Sequence, residues 1–460
     1  MSTSTADVVI CGAGIAGISA AYHLAVRHGI RNVVLVDEHE PLSLTSDKST
    51  ECYRNWWPGP GNAMVSLMNR SIDILEELAH ESDNFFHLNR RGYLFATADQ
   101  ARVAEFKRTA DETAELGAGP VRFHKGQPED PTYSPAPTEG FEGQPSGSDI
   151  ILDPEIIGKY FPYLSERTAA LIHARRCGWF SAQQLGMYLL EQARKSGAKL
   201  LEGRVEGVEV AGNRVRAVLL REGTTPGIIS TRNFVNAAGP FLRDVGRMLG
   251  VDLPVFFELH AKIAFKDYRR VVPRNAPMII WTDSTSLLWA EEERSVLADS
   301  EETKWLLGEF PCGVHVRPEG GPDSNILLII WTYDTSPVEP VFPITFDPRY
   351  PEIALRGLAV AIPGMKAYLQ QIPKPLVDGG YYTKTRENRP LIGPLPVEGA
   401  YVIGALSGFG IMAACASGEL LAAHLTGGDL LHYAPAFRLE RYEDPRYRKL
   451  LESWDETGQL

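Results

Sequence analysis

Three glycines, Gly12, Gly14 and Gly17, follow the apolar run Val8-Val9-Ile10 at the spacing G-x-G-x-x-G. Beyond them Ile15, Ile18, Ala21, Tyr22 and Ala25 recur at helical intervals, and Gly29 ends the pattern. Val33-Val34-Leu35-Val36 is a second fully apolar run, closed by Asp37. Strand, glycine turn, helix, strand is one βαβ unit of a parallel sheet buried on both faces. Each glycine answers a separate demand. Gly12 permits the tight turn, Gly14 lets backbone approach a pyrophosphate, and Gly17 lets the helix pack close to the sheet. An anion then rests on the free N–H groups of the helix N-terminus. Asp37 stands 20 residues past Gly17, where a carboxylate accepts from ribose hydroxyls and disfavours a 2′-phosphate. The motif predicts a dinucleotide other than NADP and does not choose between nicotinamide and flavin.

The rest of the chain alternates in the same manner. Helical spacing marks 62–78, 100–116, 183–196 and 411–425. Strand composition marks 91–97, 199–201, 234–239 and 400–405, and 203–210 with 215–221 reads as a hairpin. Five prolines and four glycines make 126–148 a surface loop or insertion. Strand-like runs at 261–265, 277–282, 313–317 and 326–332 predict a second layer, a mixed or antiparallel sheet. The expected class is mixed α/β.

Composition excludes several functions. With 46 basic against 58 acidic side chains the net charge is −12, unsuited to a dedicated nucleic-acid binder. Five scattered cysteines without C-x-x-C form neither a disulfide framework nor a zinc site. No metal cluster, P-loop or HExxH motif is present, so no metal is expected. No signal peptide is legible, and no window approaches the roughly 18–20 apolar residues of a membrane span. The expected setting is soluble, reducing and cytoplasmic.

Several segments together resemble the flavoprotein family of glycine oxidase, sarcosine oxidase and D-amino-acid oxidase. They are VVICGAGIAGISAAYHLA at 8–25, VVLVDE at 33–38 and a Ser/Thr-rich turn with Thr45, Ser46, Ser49 and Thr50. FVNAAGPF at 234–241, YYTKTRENRPLIGPLP at 381–396 and YVIGALSGFGIMAACASGELLAAHL at 401–425 continue the match in the family's order. The resemblance implies a Rossmann-like FAD-binding domain interleaved with a substrate domain on the mixed sheet. The expected FAD-binding segments are 1–95, 150–245 and 375–440; substrate segments are 96–149 and 246–374, with a tail at 441–460.

By that resemblance the cofactor ligands are Gly12, Gly14, Ala16, Gly17, Asp37, Glu38, Ser46, Ser49 and Thr50. Val205 would present backbone to the adenine, and Ala238 and Gly239 would line the cleft. Gly404, Ser407, Gly408, Phe409, Gly410, Ile411 and Met412 would stand at the flavin. Gly380 replaces the cysteine through which some members bond their flavin, and no histidine occupies the other linkage position. FAD is therefore expected to be noncovalent, with Cys52 the remaining candidate for a link; a small buried hydrophobe is the alternative.

The resemblance also implies amine or amino-acid oxidation at a C–N bond, with O₂ or another acceptor taking the electrons. Arg54 matches a cation that holds the substrate carboxylate, or else serves structure. Its usual partner cation is replaced by Met412, which favours a secondary or bulky amine. Trp331 and Tyr382 are expected at the reacting centre, with Trp56, Trp57 and Tyr333 as pocket walls. His260 and His315 read as structural histidines on strands. Oxidation of a 2-hydroxy acid or polyol, and a binding or assembly role without turnover, remain as alternatives.

Overall fold

A computed structural model describes residues 2–223 and 225–454. The predicted βαβ unit forms as expected, with strands Val8–Cys11 and Val33–Asp37 flanking helix Ile15–Tyr22. They sit in a six-stranded sheet of spatial order Lys199–Glu202, Val33–Asp37, Val8–Cys11, Phe234–Asn236, Ala400–Gly404, Leu391–Pro394. All neighbours are parallel except the last pair.

The pleat explains why these strands read as unbroken apolar runs. Val8, Ile10, Val33 and Leu35 face a core shared with helices Ile15–Tyr22, Ala63–Glu81 and Gly410–Thr426. Val9, Cys11, Val34 and Val36 face the opposite way, toward Val205, Val218 and Leu220 of the hairpin Arg204–Ala211 and Arg214–Glu222. Both faces are covered, so neither set can be polar.

The second layer is a nine-stranded mixed sheet. Its order runs Leu376–Lys384, Phe256–Lys266, Ile326–Ile330, His315–Glu319, Met278–Trp281, Tyr93–Thr97, Ala170–Ala174, Ser148–Ile151, Val121–His124. The proline-rich stretch is the irregular connection between the last two strands. Sheet membership cuts across the expected boundaries. Ala170–Ala174 and Leu376–Lys384 were expected on the nucleotide side and Tyr93–Thr97 straddled the expected boundary at 95, yet all three hydrogen-bond into this sheet. The chain crosses between layers several times, and each short crossing strand pairs with whichever sheet it enters.

One face of the large sheet packs on helix Tyr350–Ala361. The other presents Tyr93, Phe95, Ile172, Met278 and Ile280 to Cys52, Trp56 and Trp179 and to Phe106 and Ala110 of helix Val103–Thr113. Among the described residues no helix is long and apolar enough to cross a membrane.

Candidate active site

Three adjoining cavities run from the glycine turn to the inner face of the large sheet. The outer one, about 910 Å³, is lined by Gly12, Gly14, Asp37, Glu38, Ser46, Val205, Ala238 and Gly239. The middle one, about 620 Å³, shares Gly14, Ser46 and Gly239 and adds Ala16, Ser49, Gly404, Ser407, Gly408, Gly410 and Ile411. The inner one, about 1140 Å³, shares Ser49, Gly408 and Tyr382 with the middle one. A long dinucleotide and a small molecule at its far end fit this succession.

The glycine turn explains itself locally. Gly12 has φ +110°, and a side chain there would strike the Ala237 carbonyl. A Cβ on Gly17 would strike the Gly12 carbonyl, so Gly17 packs beneath the cleft and does not line it. Gly14 differs. An added Cβ would meet only Ser46 Oγ at 3.2 Å, so its bareness keeps space free for a ligand. Asp37 braces the turn as well as facing the cleft: its Oδ2 accepts from Ala13 N–H at 2.7 Å and its Oδ1 from His39 N–H at 2.9 Å. Ser46 Oγ accepts from Ile15 N–H at 3.0 Å at the helix start. The Ser/Thr turn is tied to the large sheet by Lys262, whose Nζ donates to the carbonyls of Asp47 at 2.7 Å and Ser49 at 3.0 Å.

The inner cavity gathers side chains from distant segments. Arg54 comes from the short strand Cys52–Arg54, paired with Cys177–Trp179. Its guanidinium lies 4.8 Å from the Trp57 ring and 5.9 Å from Tyr93, and burial lowers its proton affinity. Thr50, Cys52, Phe409 and Met412 also line the space. Burial pushes the Cys52 thiol up to about 11, and its Sγ lies 3.3 Å from the Thr50 carbonyl. It is a packed, protonated thiol.

Tyr382 stands in the cavity as expected, but Trp331 does not. Trp331 is fully buried on the opposite face of the sheet, against Phe310, Tyr333 and Gly357 of the covering helix. Its Nε1 donates to the Pro311 carbonyl at 3.1 Å. Side chains alternate along a strand, so Ile330 and Thr332 reach the cavity instead. Trp56 packs on Phe95, and Trp57 meets Phe409 edge-on, both outside the lining.

Sequence reading passed over Glu258, Thr332 and Lys384 and took His260 and His315 as structural, yet all five line the cavity. His315 Nδ1 donates to the Gly313 carbonyl at 2.9 Å, and burial lowers its pKa to about 4. Against burial, a hydrogen bond from His260 and a 2.9 Å ion pair with Lys384 hold the Glu258 carboxyl below the usual range. A signal existed: Phe256–Lys266 alternates, with Phe257, Leu259, Ala261, Ile263 and Phe265 on one face and Glu258, His260 and Lys262 on the other. The expected strand at 261–265 began too late to include it. Among the described residues no cluster of His, Cys, Asp or Glu could hold a metal ion.

The model of the FAD dependent oxidoreductase family matches residues 7–424. The mitochondrial dimethylglycine dehydrogenase of Homo sapiens is 24% identical over 452 residues, covering 96% of this chain and 44% of the relative. The mitochondrial sarcosine dehydrogenase of Mus musculus is 26% identical over 263 residues, 56% of this chain and 25% of that one. The chain thus spans less than half the length of these curated relatives. Among solved structures, L-proline dehydrogenase from P. horikoshii superposes with TM-score 0.72 at 20% identity, over 96% of this chain and 98% of that one. Glycine oxidase from Bacillus cereus gives 0.69 at 17%, over 93% and 99%.

Proposed function

The chain belongs to the FAD-dependent oxidoreductase family, and on that premise we propose that it oxidises the C–N bond of an amine or amino acid. The observation that carries this reading is Arg54, a buried cation in a cavity that opens onto the dinucleotide cleft at Tyr382 and Gly408. FAD, when bound, supplies an acceptor for two electrons and a proton's worth of hydrogen as hydride. Gly12, Gly14 and Ser46 would hold its pyrophosphate, Asp37 and Val205 the adenosine end, and Gly404 to Ile411 the flavin end. Glycine backbone at Gly408 and Gly410 leaves N–H groups close to whatever fills the middle cavity.

Arg54 binds the substrate carboxylate with two parallel N–H donors, a pairing strengthened by the dry setting. Phe409, Met412 and Tyr382 enclose the carbon skeleton and exclude water. Hydride leaves the carbon, the nitrogen lone pair closes the C=N bond, and water hydrolyses the imine. That hydride would be received by bound FAD, and its electrons would be yielded to O₂ or another acceptor. With Met412 in place of a second cation, a secondary or bulky amine bearing at most one carboxylate suits the cavity. Dehydrogenases of dimethylglycine, sarcosine and L-proline among the relatives support that substrate class.

The test is anaerobic bleaching of the flavin absorbance with sarcosine, N,N-dimethylglycine, L-proline, lactate, glycerol 3-phosphate and no addition. Bleaching by an amine supports the proposal. Bleaching only by lactate or glycerol 3-phosphate moves the reaction to a C–O bond, and no bleaching leaves a binding role. We also propose noncovalent FAD, since Gly380 lacks a thiol and Cys52 is held protonated. Acid precipitation should release yellow FAD into the supernatant; a yellow pellet would overturn this.

A further inference from the structure

We propose that Thr332, His260 and Glu258 form a proton relay that takes the proton from an ammonium substrate before its oxidation. The inference rests on the amine reading above. An alkylammonium has no lone pair to close a C=N bond, so a proton must leave before hydride can. Arg54 cannot accept it, because a guanidinium stays protonated.

The relay is continuous. His260 Nε2 lies 2.9 Å from Glu258 Oε2, and His260 Nδ1 lies 2.7 Å from Thr332 Oγ1. The other Glu258 oxygen is held by Lys384 Nζ at 2.9 Å. The imidazole is stacked on Tyr382, ring centroids 4.0 Å apart and 20° from parallel, which fixes its plane. An ionised carboxylate only accepts, so Nε2 carries the hydrogen toward Glu258 and Nδ1 is left as a lone pair. Thr332 O–H must then donate to Nδ1. Its remaining oxygen lone pairs accept from the cavity, which Thr332 lines.

Proton and charge balance follow directly. The ammonium N–H gives its proton to Thr332 Oγ as the hydroxyl gives its own to His260 Nδ1. The products are a neutral amine and an imidazolium whose Nε2–H remains on Glu258. Groups facing His260 are Glu258 on its own strand, Lys384 and Tyr382 from one neighbour, and Thr332 beyond the other. His315 and Arg54 lie across the cavity. Burial and Lys384 oppose the imidazolium, whereas Glu258 favours it. The proton then leaves the imidazolium by the same path, back through Thr332 to water entering the cavity. His315 is the weaker candidate, because its Nδ1 is committed to Gly313 and no carboxylate backs it.

The experiment is the pH profile of anaerobic bleaching with N,N-dimethylglycine, L-proline or sarcosine, whichever reduces the wild-type holoenzyme fastest. His260→Gln and Thr332→Val should lower the rate at neutral pH by roughly 10²-fold. The acid limb should move up toward the amine's own pKa, and alkaline pH should restore the rate. Thr332→Ser should retain the wild-type profile. A loss equal at every pH, or a limb that moves with His315→Gln and not with His260→Gln, would overturn the relay while leaving amine oxidation in place. No bleaching by any amine would overturn both. Independently of turnover, ¹⁵N NMR of imidazole-labelled holoenzyme should find His260 protonated at Nε2; protonation at Nδ1 alone would overturn the assignment.

Discussion

The cofactor cleft and the inner cavity share residues, yet they are built on opposite principles. The cleft is made largely of backbone: Gly12 and Gly14 within one turn, with Gly17 packed beneath it, and Gly404, Gly408 and Gly410 within another. The cavity is made of side chains whose carriers lie far apart, from Arg54 through His260 and Thr332 to Met412. A backbone site needs a short run of residues with one conformation, so its chemistry is written locally. A side-chain site needs only that several strands deliver one residue each, and its members are neighbours in space alone. The first kind tolerates little substitution; the second can change specificity residue by residue.

Breaking the backbone half alone should have the largest effect. A Cβ at Gly14 would meet only Ser46 Oγ, so with Gly14→Val the chain should fold while flavin is lost almost completely, read as the absorbance ratio of the purified protein. Full flavin occupancy would mean that the cleft holds its ligand elsewhere.

Trp331 sharpens the boundary of the side-chain half. Trp331→Ala should cost about 3–5 kcal/mol of stability in denaturant titration, as for other large buried aromatics. The KM of the folded fraction should stay within about twofold of wild type. A large rise in KM would return Trp331 to the cavity wall.

Arg54→Met breaks the side-chain half while sparing the backbone one. Losing a charge-assisted pair in a dry site costs roughly 2–5 kcal/mol. The value of kcat/KM for a carboxylate-bearing amine should therefore fall roughly 30-fold or more, with little change for an uncharged amine of the same shape. Equal losses on both would give Arg54 a role in the fold or the cofactor site.

Acid pH should act on both halves together. Burial lowers His23, His315 and His424 from the usual 6.5 to about 4, and His173 to about 3. Above pH 6.5 these imidazoles are neutral folded or unfolded and contribute no pH dependence. As pH falls from 6.5 toward 4 only the unfolded chain takes up their protons, roughly three to four of them, so stability declines. Thermal midpoints flat across that window would mean that these rings are hydrated in solution.

The same division governs what could be read beforehand. The βαβ unit and the mixed sheet were legible, and most residues expected at the cofactor line the two outer cavities, because glycine spacing and apolar runs encode them over a few residues. Trp331 was misplaced by one position of strand register, which turns a side chain to the other face of the sheet. Glu258 and His260 were undervalued because a buried polar face inside an alternating strand has the pattern of an ordinary half-exposed one. Only the neighbouring strands reveal that it is buried. The strand exchange between layers was illegible for a related reason: pairing partners are set by tertiary context and leave no local trace.

Lys262 joins the two halves. Its ammonium sits on the large sheet and grips the carbonyls of Asp47 and Ser49, in the turn whose Ser46 braces the cofactor helix. Ordering that turn around one ligand therefore sets the walls met by the other. Thermodynamic reciprocity then requires that whatever factor FAD adds to substrate affinity, substrate adds to FAD affinity. A molecule bound in the inner cavity would then act as a guard on the flavin, lowering the FAD dissociation constant by that same factor.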